Sequence, residues 1–475
     1  MNIDQALHRV HTGRQGPEVG AFFDFDGTIV HGFSGLHFFR DRLLAGKVTA
    51  AELASTMVNG LRGTDSEADF ERFVAVAFKA WRGHTEEELY EIGQRLFMST
   101  IAGHLYPEAW QLIGAHQNAG HTVVIASSAS RYQIQAAADA LGVEHVLFTP
   151  LEVVDGVLTG RVDGKSLWRS GKFAATRAFM EEHGIDGAHS YTYSNGGEDA
   201  EFLAATGNPT PTNPDGTLER FARVHEWPIL RFRPRGTPGV REVVRTAAAY
   251  SGIVGSVSTG LGLGLINRSH KVALDSITNI MPDVSLALAG IDVRVRGEAN
   301  AWEHRPAVFI FNHQSQLDPM VLAKVLRHGF TGVAKKEMAN DPLFGPLLRF
   351  VGATFVDRGN TERAVEALAP VVDTLRQGTS VIIAPEGTRS LTPQIGRFKK
   401  GAFRIAMEAR VPIVPVVIRN AGEMLWKHST LLRSGTVDVA VLDPIDVSGW
   451  HGELDVRITE VEDLYRKTLT DWPRT

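Results

Sequence analysis

The sequence predicts two α/β units in series, and three observations carry that expectation. An apolar run from Val19 to Phe25 ends in Asp24-Phe25-Asp26-Gly27-Thr28, with two carboxylates at a strand end. Almost three hundred residues later, Ala307 to Phe311 leads into Asn312-His313-Gln314-Ser315-Gln316-Leu317-Asp318, a histidine with a carboxylate nearby. Between them, Arg231-Phe232-Arg233-Pro234-Arg235-Gly236-Thr237-Pro238-Gly239 breaks both helical and strand periodicity and marks a boundary. A chain of 475 residues holds two to four domains at roughly 100–200 residues each.

The first unit, residues 1–228, takes its sheet from three strands. Val19 to Phe25 ends in Asp24 and its neighbours, Thr122 to Ala126 in Ser127-Ser128, and Ser190 to Ser194 in Asn195 and Glu198-Asp199. In an open, Rossmann-like parallel sheet the carboxyl ends of strands line one crevice, so the three polar clusters are expected to converge. About a hundred residues separate the first two strands, more than one crossover helix needs. The excess carries an apolar stripe, Phe70, Phe73, Val74, Phe78 and Trp81, at helical spacing and predicts an inserted helical cap over about 32–104.

Residues 229–249 form a basic linker containing Arg231, Arg233, Arg235, Arg241 and Arg245, and residues 250–295 form an apolar segment. Tyr250 to Ile266 is uncharged but short for a span and dense in Gly and Ser, with Arg268 and Lys271 beyond it. Basic flanks attract anionic headgroups at roughly 1 kcal/mol per residue near the surface. From 296 to 475 strands and helices alternate again: strands at Ala307 to Phe311, Gly332 to Lys335, Ala353 to Val356, Ser380 to Ala384, Ile413 to Ile418 and Val437 to Leu442, and helices at Glu362 to Arg376 and Gly401 to Arg410.

Composition excludes several classes. A net charge of −5 provides no overall basic field, so no nucleic-acid partner is expected. With no cysteine, disulfides, thiolate metal sites and cysteine nucleophiles are absent. The opening MNIDQALHRVHTGRQG has no apolar core of a secretory signal, so the N-terminal half is expected in the cytosol.

Asp24 and Asp26, two apart on a strand, point the same way; Gly27 permits a tight turn and Thr28 adds a hydroxyl. Two such carboxylates suit phosphate-ester hydrolysis, one as nucleophile and one exchanging protons with leaving group and water. With Ser127, Lys172 and Asp199 following in order, residues 18–215 resemble the haloacid dehalogenase superfamily of phosphatases, in particular its phosphoserine-phosphatase-like branch. The resemblance implies that Asp24 is phosphorylated, that Asp26 is the general acid and base, that Ser127 and Lys172 bind the phosphate, and that Asp24, Asp26, Asn195 and Asp199 hold Mg2+. Asn195 stands where that superfamily usually has an acidic ligand; its carbonyl ligates without adding charge. That departure leaves a second reading, a catalytically silent module that binds a phosphorylated ligand or self-associates, beside a third in which the substrate is a soluble phosphomonoester such as phosphoserine.

His313 and Asp318 are five apart and meet only if the chain turns between them. Asp318-Pro319 reads as a helix start, which puts His313 in the preceding loop. A histidine held by a carboxylate is a base for an alcohol, and no Gly-x-Ser-x-Gly elbow accompanies it, so direct attack by a substrate hydroxyl is the simpler course. Phe355-Val356-Asp357-Arg358, Pro385-Glu386-Gly387-Thr388-Arg389-Ser390 and Val411-Pro412-Ile413-Val414-Pro415 follow in order. Together these blocks resemble the glycerolipid acyltransferases of the 1-acylglycerol-3-phosphate type. The resemblance implies a catalytic dyad of His313 and Asp318, and phosphate binding by Arg358 and by Glu386, Gly387, Thr388 and Arg389. It further implies an acyl-CoA or acyl-carrier-protein donor, lysophosphatidate as acceptor, and a peripheral or monotopic place on the cytoplasmic face of a membrane.

Overall fold

The computed structural model describes residues 1–46, 48, 66–232, 239–340, 344–356, 369–390, 394–426, 429–450, 452–470 and 472. The chain divides into two compact units, Met1–Gly236 and Thr237–Thr475.

The first unit is built on a five-stranded sheet. Its strands are β1 (Gly20–Phe23), β2 (Thr122–Ala126), β3 (His145–Leu147), β6 (Tyr191–Ser194) and β7 (Asn208–Pro211), in the order β3-β2-β1-β6-β7 and all parallel. β1 is buried along its whole length because both faces are covered. Alternation sends Phe22 into a cluster with Val124, Phe179, Met180 and Phe202, while Phe23 stacks on Tyr193 with ring centroids 4.5 Å apart. With β1 central and parallel to both neighbours, the ends of β1, β2 and β6 open on the same side, as their polar endings required.

The insertion after β1 contains helices Ser34–Leu44, Glu67–Lys79 and Glu86–Ser99. Ser66 caps the second and a Thr85/Glu88 capping box starts the third. Residues 49–65 of the expected cap lie outside the described residues. The cap is not helical alone: the hairpin β4 (Leu151–Val154) and β5 (Val157–Val162) joins it, with Leu158 N donating to His84 O and Gly83 N to Leu158 O, each at 2.9 Å. Its turn, Asp155-Gly156, has positive φ at both residues (50° and 76°), the geometry that Asp-Gly favours in hairpins.

The second unit is a seven-stranded mixed sheet. β8 (Ile291–Arg296), β9 (Val308–Phe311), β10 (Phe330–Lys335), β11 (Thr354–Val356), β12 (Ser380–Ile383), β13 (Ile413–Arg419) and β14 (Gly435–Val441) lie in the order β11-β10-β12-β9-β13-β14-β8. Among the described strands of this sheet, only the β13–β14 pairing is antiparallel. β9 is the middle strand, and its residues feed two cores: Phe309 and Phe311 join Leu322, Val325, Val414 and Val416 on one face, and Val308 and Ile310 join Leu375, Phe403, Ile405 and Tyr465 on the other. The Tyr465 hydroxyl, on helix Leu454–Thr470, donates to Ile310 O at 2.7 Å and accepts from Val416 N at 3.2 Å, which pins that helix across β9 and β13. Helix Ala369–Arg376 is the described part of the one expected from 362.

The apolar segment is a helical hairpin, Val240–Asn267 and His270–Ala289, whose helices are long and apolar enough to cross a membrane by length and composition. The first starts ten residues before Tyr250, because Val243, Val244 and Ala247 to Ala249 continue the helix and Arg241 and Arg245 stay on its surface. Gly260 and Gly264 lie against Ile277 and Ala273, where a side chain would force the helices apart. Leu265 and Ile266, 79% and 81% exposed, project from the end of the first helix. The segment also stops earlier than 295: Ile291-Asp292-Val293-Arg294-Val295-Arg296 alternates apolar and polar residues and is the edge strand β8.

Candidate active sites

In the first unit, the turn after β1 places Asp24 and Asp26 at the strand ends. Lys172, from helix Ser170–Glu182, reaches between two carboxylates: its Nζ donates to Asp24 Oδ1 at 2.7 Å and to Asp199 Oδ2 at 2.6 Å. All three side chains are buried. Ser194 Oγ also donates to Asp199 Oδ2, at 2.6 Å, which leaves Asp199 Oδ1 buried with no hydrogen-bond partner among the described residues. The Thr28 hydroxyl lies 3.4 Å from Asp24 Oδ2 and 3.5 Å from Asn195 Oδ1. Asp26 is held apart by Ser34, whose N and Oγ donate to its two oxygens at 2.8 and 3.0 Å. Ser127 sits at the end of β2 with its Oγ accepting from Ala129 N at 3.1 Å.

One ammonium between two carboxylates leaves this pocket short of positive charge. Burial pushes Asp24 up to about 7 against the pull of Lys172, with Asp199 adding to the rise. Burial also raises Asp26 to about 6, opposed by the two Ser34 hydrogen bonds. Burial opposes the charge of Lys172, but Asp199 and Asp24 outweigh it and hold the ammonium above its ordinary range. A carboxyl near 6 can both give and take a proton close to neutral pH. Ser34 and Ser194 went unassigned by sequence reasoning; each acts on a carboxylate that is distant or on another element, a relation that sequence spacing does not encode.

In the second unit, the residues between β9 and helix Asp318–Leu326 turn back on themselves. One oxygen, Asp318 Oδ2, gathers three donors: His313 Nδ1 at 2.7 Å, Gln314 N at 2.8 Å and Ser315 N at 2.9 Å. Asp318 is therefore not the helix cap that its place before Pro319 suggested; its carboxylate reaches backward to close the loop, and Leu317 is the N-cap. An ionised carboxylate only accepts, so Nδ1 is the donor of this pair, and in the neutral ring Nε2 carries the lone pair. Asp318 is fully buried and the His313 side chain 20% exposed. Asn312, unassigned from sequence, ties the loop to β13: its Nδ2 donates to Ile418 O at 2.8 Å and its Oδ1 accepts from Ile418 N at 2.7 Å.

The turn after β12 lies against this loop, with Ser390 N donating to His313 O at 2.7 Å. Gly387 takes φ +75°, and the Lys399 side chain passes 3.1 Å from where a Cβ would stand. Burial lowers the Arg389 guanidinium from its ordinary value, and the Asp318 carboxylate opposes the shift, so Arg389 is close enough to the dyad to feel its charge. Thr388 is exposed at the turn, and Glu386 is buried beneath it with His313 N donating to its Oε1 at 2.7 Å. Arg358 lies outside the described residues.

The folds and sites define an α/β unit of hydrolase type built around an aspartate pair, joined to an α/β acyltransferase unit built around a histidine–aspartate dyad. Two family models match accordingly, haloacid dehalogenase-like hydrolase over residues 21–204 and Acyltransferase over residues 292–419. The 1-acyl-sn-glycerol-3-phosphate acyltransferase of Saccharomyces cerevisiae is 34% identical over 206 residues, covering 43% of this chain and 67% of that protein. Among solved structures, the 1-acyl-sn-glycerophosphate acyltransferase PlsC of Thermotoga maritima aligns with 50% of this chain and 99% of its own at 23% identity and TM-score 0.44. A phosphoserine phosphatase carrying a phospho-aspartyl intermediate analogue aligns with 45% of this chain and 93% of its own at 18% identity and TM-score 0.35. This chain belongs to the 1-acyl-sn-glycerol-3-phosphate acyltransferase family through its second unit, with a haloacid dehalogenase-like hydrolase domain as its first. It spans between about half and two thirds of the length of the curated relatives it matches.

Proposed function

We propose that the second unit transfers an acyl chain from acyl-CoA or acyl-carrier protein to the free hydroxyl of 1-acylglycerol 3-phosphate, giving phosphatidate. The observation that carries this reading is the single Asp318 oxygen that binds His313 Nδ1 and two loop amides, because it fixes the tautomer and aims a basic Nε2 away from the carboxylate. Nε2 takes the hydroxyl proton as that oxygen bonds to the thioester carbonyl carbon. The carbon–sulfur bond then breaks, and the imidazolium returns the proton to the departing thiolate; Asp318 stabilises the charged ring between the two steps. Arg389 and Arg358 bind the acceptor's phosphate, the former bidentate in its forked geometry. The exposed Leu265 and Ile266, at the tip of a hairpin where Arg268 and Lys271 are also exposed, support interfacial contact with the cytoplasmic face of a membrane, where the lipid acceptor resides.

The first unit is proposed to hydrolyse a phosphomonoester, with a lipid phosphate the attractive substrate because the same chain carries a phosphatidate-forming unit. Asp24 attacks phosphorus, Asp26 protonates the leaving oxygen and then takes a proton from the water that cleaves the phosphoaspartate, and Lys172 and Ser127 hold phosphoryl oxygens. Asp24, Asp199 and the Asn195 carbonyl would hold Mg2+, with Asp26 beside them. The unpartnered buried Asp199 Oδ1 fits an oxygen-seeking cation, which needs only one or two protein carboxylates when phosphate and water complete its shell. When bound, the cation neutralises charge developing on the phosphoryl oxygens. A second reading, a silent ligand-binding module, is favoured by Asn195, which brings no charge to that site.

Thiol release from oleoyl-CoA, dependent on lysophosphatidate, tests the transfer. It is expected from the wild type and absent from His313→Ala; release at the wild-type rate from His313→Ala overturns the dyad. Magnesium-dependent phosphate release lost in Asp24→Asn supports hydrolysis, and no release from any phosphomonoester tried favours the silent module.

A further inference from the structure

Glu386 has the wrong charge for a phosphate ligand, and its oxygens are engaged elsewhere. It is 5% exposed. Oε1 accepts from His313 N at 2.7 Å, and Oε2 accepts from Ser390 Oγ and from Gly396 N, each at 2.7 Å. The three donors lie in three segments: the loop after β9, the turn after β12, and the stretch leading to helix Gly401–Ala409. The same turn holds the other side of the histidine peptide, since Ser390 N donates to His313 O. That stretch is stapled further by Lys399 N to Pro385 O at 2.9 Å and Phe398 N to Glu462 Oε1 at 2.6 Å. His313 is thus gripped at its N–H, its carbonyl and its ring, by Glu386, Ser390 and Asp318.

We infer that Glu386 is a positioning residue for acyl transfer, a buried carboxylate that joins the histidine loop to the phosphate-binding turn and touches no substrate. It holds the His313 backbone so that the dyad points Nε2 at the incoming hydroxyl while Arg389, three residues on, receives the phosphate. Binding of the acceptor and aim of the base are linked through this side chain, together with the Ser390 N–H that holds the His313 carbonyl. A neutral or absent acceptor at position 386 frees the histidine peptide without removing any group that contacts phosphate. The inference rests on the acyl-transfer reading of His313, and its test includes a measurement independent of turnover.

The experiment compares wild type, Glu386→Gln, Ser390→Ala and Arg389→Lys as full chains. Glutamine preserves size but turns an NH2 toward one set of donors. Its kcat is expected to fall about 10- to 100-fold, the loss expected of one hydrogen bond to a charged group, with KM for lysophosphatidate within twofold. Ser390→Ala, a milder loosening should Glu386→Gln fold poorly, shows the same split at smaller size, whereas Arg389→Lys raises KM. Amide hydrogen exchange across 312–317 is expected to quicken in Glu386→Gln even if the wild type transfers no acyl group, an outcome that would reject the transfer reading alone. A raised KM with kcat intact, or exchange unchanged from wild type, overturns the inference.

Discussion

Replacing Asp24 by asparagine should make the first unit more stable at neutral and alkaline pH while ending any hydrolysis it performs. Burial raises the Asp24 carboxyl from 3.8 to about 7 even with Lys172 at 2.7 Å, because that ammonium is shared with Asp199. The folded state therefore favours the protonated form. Its contribution to stability is fully present below pH 3.8 and is lost as pH rises through about 7. A shift of roughly three units corresponds to about 4 kcal/mol at ~1.4 kcal/mol per unit. The asparagine side chain has no charge to desolvate, keeps an oxygen for Lys172 and leaves the Lys172–Asp199 pair in place. The variant and wild type should match near pH 4 and diverge by up to about 4 kcal/mol by pH 8, the variant being the more stable. Denaturant-dependent hydrogen exchange at Phe22 and Tyr193, in β1 and β6 of the full chain, reads this unit alone. A variant equally or less stable than wild type at pH 8 refutes the reasoning, for it would mean that Lys172 fully compensates both carboxylates.

Gly27→Ala meets two obstacles, a φ of +79° and the Asn195 side chain where its Cβ would stand. It should cost about 1–2 kcal/mol and displace Asn195, reducing phosphate release more than tenfold. Asp318→Asn puts an amide NH2 in reach of donors that needed an acceptor; thiol release should fall on the order of 10³- to 10⁴-fold with little change in KM, as for the corresponding loss in a triad. His116, buried in the first unit, bonds His121 Nδ1 through its Nδ1 at 2.8 Å and Tyr193 OH through its Nε2 at 2.9 Å, and burial holds it well below 6.5. Its contribution to stability is present above pH 6.5 and lost as pH falls below that value, so His116→Gln should flatten the acid-side decline in hydrogen-exchange protection of the same strands.

The buried parallel strands and the residues at their ends were legible because an apolar run closed by polar residues has few other uses. Asp24, Lys172 and Asp199 meet as their order implied, and so do His313 and Asp318. Other elements were missed for stated reasons. β7 contains Pro209 and Pro211, which read against a strand, yet it is an edge strand and tolerates them. The Asp155-Gly156 turn was legible in principle but lies in a short, half-exposed hairpin without a strong apolar pattern. β8 was absorbed into the apolar segment because it follows the second helix after a single residue, Gly290. The work of Glu386 was not legible at all: its partners are two backbone amides and a hydroxyl, one of them 73 residues away, and no side-chain pattern announces an amide.

The most direct test of two reaction centres in one chain is to incubate the solubilised protein with radiolabelled oleoyl-CoA, lysophosphatidate and magnesium and to resolve the lipid products. Wild type is predicted to give diacylglycerol, Asp24→Asn to stop at phosphatidate, and His313→Ala to give neither. Phosphatidate accumulating from wild type without conversion would contradict a lipid phosphatase in the first unit, and labelled phosphatidate from His313→Ala would contradict the dyad itself.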